Sequence, residues 1–397
     1  MKISMRKVML GAITAVSAIA LAGCATTSAG DKGNSSTGNT VKIGMNMELS
    51  GAAAGYGNQM KQGFDLAVKQ INADGGIKVN GKKLKIKTVI RDNKSTTSGS
   101  SSVAAQLAGS DGVSAIVGPA TTNDGTAAIP NITKAKVPSV SPSATDPDYT
   151  LQKNGKVQPY VFRACFENNF QGETAAHFAN NTLKAKNVAI LEDNSSDYGT
   201  GLAKAFKSAF KGSVVSTQSF SEGDKDFNAL LTGIKNKNID AIYVPGYYSE
   251  AGLIIKQARS MGITVPIIGS DGMADPKLAE IAGSENASDI YYTTPFSTKS
   301  GSTNKMAQTF MGDFKKQYHT DAPTFSALAY DSVLMVKQAI EDAKSTDSVK
   351  IAQALAKIKD MPAVTGAMTV NKTHDPEKPI MIEKLTNGKV VSAVEQK

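Results

Sequence analysis

Asp111-Gly112-Val113-Ser114-Ala115-Ile116-Val117-Gly118-Pro119, followed by Lys136-Val137-Pro138-Ser139-Val140-Ser141, decides the architecture because it returns later in altered letters. The second version is Asn238-Ile239-Asp240-Ala241-Ile242-Tyr243-Val244-Pro245-Gly246, followed by Thr264-Val265-Pro266-Ile267-Ile268-Gly269-Ser270. Ala115 to Pro138 is 23 positions, and Ala241 to Pro266 is 25. Each version reads as a short apolar strand, a turn, a helical stretch and a second strand. Common α/β grammar produces part of such a likeness. The remainder implies one topology used twice.

Outward from these two centres the same rhythm continues. Strands are expected at Val41–Met47 and Leu84–Ile90, with a helix over about Asn58–Asn72 that Asp74-Gly75-Gly76 ends. A helix at about Ser98–Ala108, a strand Val113–Val117, a helix around Gly125–Lys134 and a strand Val137–Val140 complete the first half. After Arg163 come a helix Gln171–Leu183, strand Val188–Leu191, helix Gly201–Phe210 and strand Val214–Phe220. Helix Phe227–Asn236, strand Ala241–Val244, helix Ala251–Met261 and strands Pro266–Ile268 and Ile290–Thr294 follow. Strands alternating with helices predict an α/β fold of two similar doubly wound parallel-sheet lobes. Helices expected at Lys305–Tyr318, Thr324–Ala343 and Ser348–Lys357 return to the first lobe, so the connection crosses more than once and forms a hinge. Short strands at Met368–Val370, Ile380–Leu385 and Val390–Ala393 close the chain. The expected division is 41–162 with 295–365 for lobe 1, and 163–294 with 366–397 for lobe 2.

The N-terminus reads as an address. Lys2, Arg6 and Lys7 precede an uncharged, largely apolar stretch from Val8 to Leu21, too short for a comfortable span and suited to a signal peptide over 1–23. Leu21-Ala22-Gly23-Cys24 resembles the bacterial lipobox, which implies acylation of Cys24; an ordinary signal peptide with an incidental cysteine is the alternative. Residues 24–40, rich in Ser, Thr, Gly and Asn, are expected to form a flexible tether. The chain would then sit on the extracytoplasmic face of the bacterial cell membrane.

Composition excludes several classes. Net charge is +9, of which Lys2, Arg6 and Lys7 supply three, and the remaining lysines are scattered over helices rather than gathered, so no nucleic-acid partner is expected. With Cys24 acylated, Cys165 has no disulfide partner. His177, His319 and His374 lie far apart, and no metal or other cofactor is expected. No GxxxxGK[ST], GxSxG or HExxH is present, and Gly55-Tyr56-Gly57 lacks the third glycine of a dinucleotide fingerprint, so an enzyme is not expected.

Ligands of open parallel sheets lie beyond the carboxyl ends of strands. In the first half those ends carry Ser50 to Gly57, Gly118-Pro119-Ala120-Thr121-Thr122-Asn123-Asp124 and Ser141-Pro142-Ser143-Ala144-Thr145, a set of hydroxyls and free N–H groups suited to a carboxylate. In the second half they carry Asp197-Tyr198-Gly199, Gly246-Tyr247-Tyr248 and Ser270-Asp271-Gly272, aromatic faces and an acid suited to an ammonium group and an apolar side chain. Taken singly, such residues serve as caps and turns. Their joint pattern describes a site for an α-amino acid.

Several stretches, in order, resemble the leucine/isoleucine/valine-binding protein family of type I periplasmic-binding folds over almost the whole chain beyond the tether. They are Gly55-Tyr56-Gly57, Ile71-Asn72-Ala73-Asp74-Gly75-Gly76-Ile77, Ile116-Val117-Gly118-Pro119 and Ser141-Pro142-Ser143-Ala144-Thr145. Phe162-Arg163, Tyr198-Gly199-Thr200-Gly201-Leu202-Ala203, Lys225-Asp226-Phe227 and Gln257-Ala258-Arg259 continue the series. The resemblance implies that Thr122 and Thr145 hydroxyls, with backbone groups near Ala120 and Ser143, hold a ligand carboxylate. It implies Asp271 as the ammonium partner with Tyr247 nearby, and Tyr56, Tyr198 and Phe325 around the ligand side chain. Best-known members have Glu where Asp271 stands and Ser where Thr122 stands, and some carry a first-lobe disulfide absent here. The implied role is a monomeric, lipid-anchored receptor that delivers a branched-chain amino acid to an ABC permease. A ligand-sensing module, or a receptor for short amides or another small polar solute, is the rival.

Overall fold

The computed structural model describes residues 33–36, 38–300 and 304–396. The expected signal peptide, Cys24 and most of the tether lie outside them. Two sheets organise the chain. The first contains β1 (Thr40–Met47), β2 (Ile77–Val79), β3 (Lys82–Asp92), β4 (Ala115–Val117), β5 (Ser139–Ser141) and β6 (Val161–Arg163), in the order β2-β3-β1-β4-β5-β6. The second contains β7 (Asn187–Asp193), β8 (Ser213–Phe220), β9 (Ala241–Val244), β10 (Ile267–Gly269) and β11 (Ile290–Thr294). The tail adds β14 (Ile380–Thr386) and β15 (Lys389–Gln396), giving the order β15-β14-β11-β10-β9-β7-β8, while β12 (Thr369–Val370) and β13 (Pro376–Glu377) pair separately.

The sequence echo marks equivalent strands. Five parallel strands, β3-β1-β4-β5-β6 in one sheet and β8-β7-β9-β10-β11 in the other, follow the same doubly wound order. Ala115 opens β4 and Ala241 opens β9. Even the prolines correspond: Pro138 O accepts the Ile116 N–H at 2.9 Å, and Pro266 O accepts the Ile242 N–H at 3.0 Å. The sheets are mixed rather than wholly parallel, because β2 pairs antiparallel with β3 and the β14–β15 hairpin pairs antiparallel with β11.

Helices cover both faces of each sheet, which is why the strands are near-continuous apolar runs. Ala115 and Val117 face one core cluster and Ile116 the opposite one; Ile242 and Val244 against Ala241 and Tyr243 repeat the division. In the first lobe α1 (Ala54–Ala73) packs on α10 (Thr324–Ala343), and α2 (Thr97–Ala108) on α3 (Thr122–Ala135). In the second, α4 (Asn168–Asn181) packs on α5 (Asp197–Ala209), and α7 (Tyr248–Ser260) on α8 (Lys277–Ala282). The helix α6 (Asn228–Lys235) contacts α7 and β8, and α11 (Ser348–Leu355) contacts α10. The helix α9 (Lys305–Tyr318) joins α1 and α10 through Phe310, Phe314 and Leu66.

Helices α1, α3, α5 and α7 begin three or four residues before their expected starts. Their first turns hold Gly55, Gly57, Thr122, Gly199 and Tyr248, residues without an apolar period. At Gly57 any Cβ would collide with the Glu48 carbonyl, so the glycine lets α1 start against the end of β1.

The chain passes between sheets after β6, after β11 and after β13. The stretch from 366 to 375, expected to belong to lobe 2, packs against β6: the His374 ring stacks on Phe162 at 4.1 Å, and Nδ1 lies 3.0 Å from Val161 O. A second correction concerns the tether. Residues 33–36 are docked: Asn34 N donates to Ser348 Oγ at 2.9 Å and its Nδ2 to Ala108 O at 2.5 Å, while Ser36 Oγ lies 3.2 Å from Ser114 Oγ. Small polar residues read as solvated linker by composition, yet their short side chains also fit backbone groups left open between α2, β4 and α11.

Candidate ligand site

Equivalent strand ends bring the candidate residues together. Tyr56 follows β1 and Tyr198 follows β7; Thr122 follows β4 and Tyr247 follows β9; Ser143 and Thr145 follow β5 and Asp271 follows β10. Phe325 comes from the first turn of α10. One cavity between the lobes is lined by Tyr56, Ala120, Thr122, Ser143, Tyr198, Tyr247, Asp271 and Phe325, eight of the nine expected positions. Thr145, the ninth, is fully buried two residues beyond Ser143. Tyr56, Thr121 and Tyr247 also line an adjoining cavity of about 300 Å³ that reaches Asp124, Ser196 and Glu222.

On the first-lobe side the hydroxyls have acceptor and donor capacity to spare. Thr145 Oγ1 is wholly buried and has no hydrogen-bond partner among the described residues. Thr122 Oγ1 accepts the Asp146 N–H at 3.4 Å and keeps its own proton for another acceptor. Ala120 departs from expectation. Its N–H donates to Glu48 Oε2 at 3.0 Å, and its carbonyl accepts the Ser143 hydroxyl at 2.7 Å. Glu48, which ends the first strand's apolar run, also takes the Thr121 N–H at 3.1 Å and so occupies the helix-start donors that suggested an anion site. Burial and the Glu48 charge push the Asp124 carboxyl up to about 8.

The loop bearing Ser143 and Thr145 is fixed from beneath by Arg163. This guanidinium is fully buried and donates to the carbonyls of Ala144 at 2.9 Å and Asp146 at 2.8 Å, while Nε pairs with Asp375 Oδ1 at 2.6 Å. Sequence reading quoted Phe162-Arg163 as a motif without assigning it this support.

On the second-lobe side Asp271 is 2 % exposed. Tyr198 Oη lies 2.7 Å from both Asp271 Oδ1 and Ser270 Oγ, and accepts the Gly272 N–H at 2.8 Å. Gln171 Oε1 accepts the Asp271 N–H at 3.2 Å and the Thr293 hydroxyl at 2.8 Å, a support that sequence reading missed because it spans 100 positions. Burial pushes the Asp271 carboxyl up to about 6 against the Tyr198 hydrogen bond. Burial also holds the Tyr198 and Tyr247 hydroxyls well above the ordinary phenol range, so they stay protonated. A buried acid with no basic partner is costly unless a cation joins it.

Aromatic rings close the remaining sides. Tyr198 and Tyr247 stack at 4.9 Å, and Tyr56 meets Phe325 edge-on at 4.7 Å and Tyr247 at 5.8 Å. Tyr56 Oη donates across the cleft to Gly272 O at 2.5 Å, Tyr248 Oη to Ala52 O at 3.1 Å, and Gln59 Nε2 to Asp275 Oδ2 at 2.8 Å. The lobes are closed on one another. Elsewhere Cys165 is free and buried, and no described helix is long and apolar enough to cross a membrane.

Known proteins share this fold. A family profile described as "Periplasmic binding protein" matches residues 40–389. The chain is 33% identical to the Leu/Ile/Val-binding protein homolog 3 of Brucella melitensis biotype 1, over 88% of this chain and 93% of that protein. It is 30% identical to the leucine-, isoleucine-, valine-, threonine-, and alanine-binding protein of Pseudomonas aeruginosa, over 82% of this chain and 85% of that one. The crystal structure of the substrate-binding protein LivJ from Streptococcus pneumoniae with isoleucine superposes with a TM-score of 0.84 at 43% identity, covering 90% of this chain and 99% of that one. On the strength of its two equivalent sheets, its interlobe site and this near full-length match, the chain belongs to the periplasmic binding protein family.

Proposed function

We propose that this protein captures a branched-chain α-amino acid between its lobes and presents it to an ABC importer. The observation that carries the reading is the placing of a buried Asp271, which pairs with no Lys or Arg among the described residues, on one lobe across from the buried hydroxyls of Thr122 and Thr145 on the other. A zwitterionic head group satisfies both at once: its ammonium meets Asp271, and its carboxylate meets the threonines and the backbone at Ser143. The apolar side chain lies along Tyr56, Tyr247 and Phe325, toward the wider cavity. The ligand first docks on the threonine-bearing lobe, and closure then brings Asp271 onto the ammonium, with Tyr198 in the place expected of Tyr247 because its Oη lies 2.7 Å from Asp271 Oδ1. Because the closed arrangement is the one a permease recognises, the ligand acts by shifting the open–closed population.

A thermal-shift panel of all amino acids, simple amides and nucleosides tests this. Stabilisation confined to Leu, Ile, Val and neighbouring small amino acids supports the proposal. A response to amides or nucleosides alone rejects the Asp271–ammonium argument. The anchor belongs to the same proposal: Cys24 carries the lipid, and the chain up to Lys32 is the leash. Cys24→Ala should move the protein from the membrane fraction to the medium; continued membrane association would remove Cys24 from that role.

A further inference from the structure

The second lobe holds another buried acid that the amino-acid site leaves unused. Glu383 lies on β14 among Ile380, Met381, Ile382 and Leu385, and is 8 % exposed. Ser297 and Tyr292 stand with it on one cavity wall, and burial raises the carboxyl above its usual range. Among the described residues no Lys or Arg forms an ion pair with it; the adjacent Lys384 pairs instead with Asp289 at 3.1 Å.

Glu383 lines a cavity of about 380 Å³, a volume in the range of small-molecule sites. Phe296, Tyr292, Leu385 and Val390 form its apolar walls, and Ala322 and Thr324, at the start of α10, close it from the first lobe. The other two acids along it are already engaged: Asp275 by Gln59 at 2.8 Å and Asp321 by Lys315 at 3.0 Å. Lys299 and Lys389 also line it, from exposed positions. The chemistry repeats that around Asp271, an acid flanked by a tyrosine and a serine hydroxyl beside aromatic rings.

We propose that this cavity is a second ligand site, taking a small organic amine whose ammonium meets Glu383 and whose apolar body lies along Phe296, Tyr292 and Leu385. Its walls come from both lobes, so an occupant stabilises the closed arrangement and, by linkage, tightens amino-acid binding. This coupling rests on the function proposed above; the amine site itself does not.

Titration calorimetry with 2-phenylethylamine, and with 2-phenylethanol as the uncharged control, tests it on the wild-type protein and on E383Q, V390W and D271N. The amine is expected to bind wild type and D271N alike, to weaken about tenfold or more in E383Q, and to be excluded by V390W, which fills the cavity while keeping the carboxylate. The alcohol should bind at least about tenfold more weakly. Saturating amine should raise leucine affinity about fivefold or more in wild type, and E383Q without amine should bind leucine normally. No binding of amine to wild type overturns the proposal, as does binding lost in D271N but kept in E383Q, which places the amine in the amino-acid site. Amine bound at Glu383 with leucine affinity unmoved overturns the coupling. Failure of leucine to bind at all would fall on the proposed function and leave the amine titration readable.

Discussion

Replacing Asp271 by asparagine should move ligand affinity and fold stability in opposite directions. Breaking a buried charge pair by removing one partner costs about 3–5 kcal/mol. At about 1.4 kcal/mol per decade this is a Kd roughly 100 to 5,000 times weaker, and the asparagine oxygen still accepts from Tyr198, so the lower end is expected. The ligand-free protein behaves otherwise. The Asp271 carboxyl sits at about 6 in the fold against 3.8 ordinarily, so its ionised form is disfavoured by folding. For an acid raised in this way the cost is absent below pH 4, grows through pH 6 and is complete above it. It amounts to about 3 kcal/mol at neutral pH. Asparagine removes that cost and adds an amide N–H₂ whose unmet hydrogen bonds return about 1–3 kcal/mol. The net is an unfolding midpoint equal to or above wild type. Calorimetric titration with leucine and thermal denaturation of the ligand-free variant measure the two quantities separately. Unchanged leucine affinity, or an affinity loss accompanied by a large drop in the ligand-free midpoint, would refute the reasoning.

Other outcomes follow from the same geometry. Leucine affinity should be flat from pH 6 to 9 and fall about tenfold per unit below 6, because the ligand must then displace a proton from Asp271; calorimetry across that range reads it. Thr145→Val removes a hydroxyl that has no partner among the described residues, so ligand-free stability should hold or rise by about 1 kcal/mol. Its leucine Kd should weaken about 10–100-fold through the loss of one charge-assisted hydrogen bond, by titration and urea denaturation. Asp375→Ala leaves the Arg163 guanidinium buried without its counter-charge and should lower unfolding free energy in urea by about 3 kcal/mol. Arg163→Met in the same background should recover part of that loss.

The architecture was legible because both faces of each strand are buried. Runs such as Ala115-Ile116-Val117 and Ala241-Ile242-Tyr243-Val244 had to be apolar throughout, and their repetition announced the duplicated topology. The first turns of α1, α3, α5 and α7 were illegible by period because there Gly, Thr and Tyr are placed by the cleft rather than by a core. β2 and β6 did not register because Lys78 and Arg163 leave each only two apolar residues. The site's outer residues were read from strand ends and from resemblance, and the fold brings eight of them to one cavity. Glu48, Gln171 and Arg163 escaped because each acts through partners supplied by another part of the chain, and no local spacing records such a pairing. Ala120 shows the reverse failure: a helix start reads as an open anion site until a carboxylate from another strand fills it.

The docked residues 33–36 bear on how such a machine is mounted. Their hydrogen bonds run to Ala108, Val113, Thr346, Asp347 and Ser348, around α2 and α11 of the first lobe. Thr40, a few residues on, begins β1 at the end of the sheet away from the cleft. On the proposed anchoring the first lobe is the stator and the second the rotor: a pull passed to residues 33–36 reaches the half proposed to receive the ligand, and the proposed closing swing proceeds without load from the mooring.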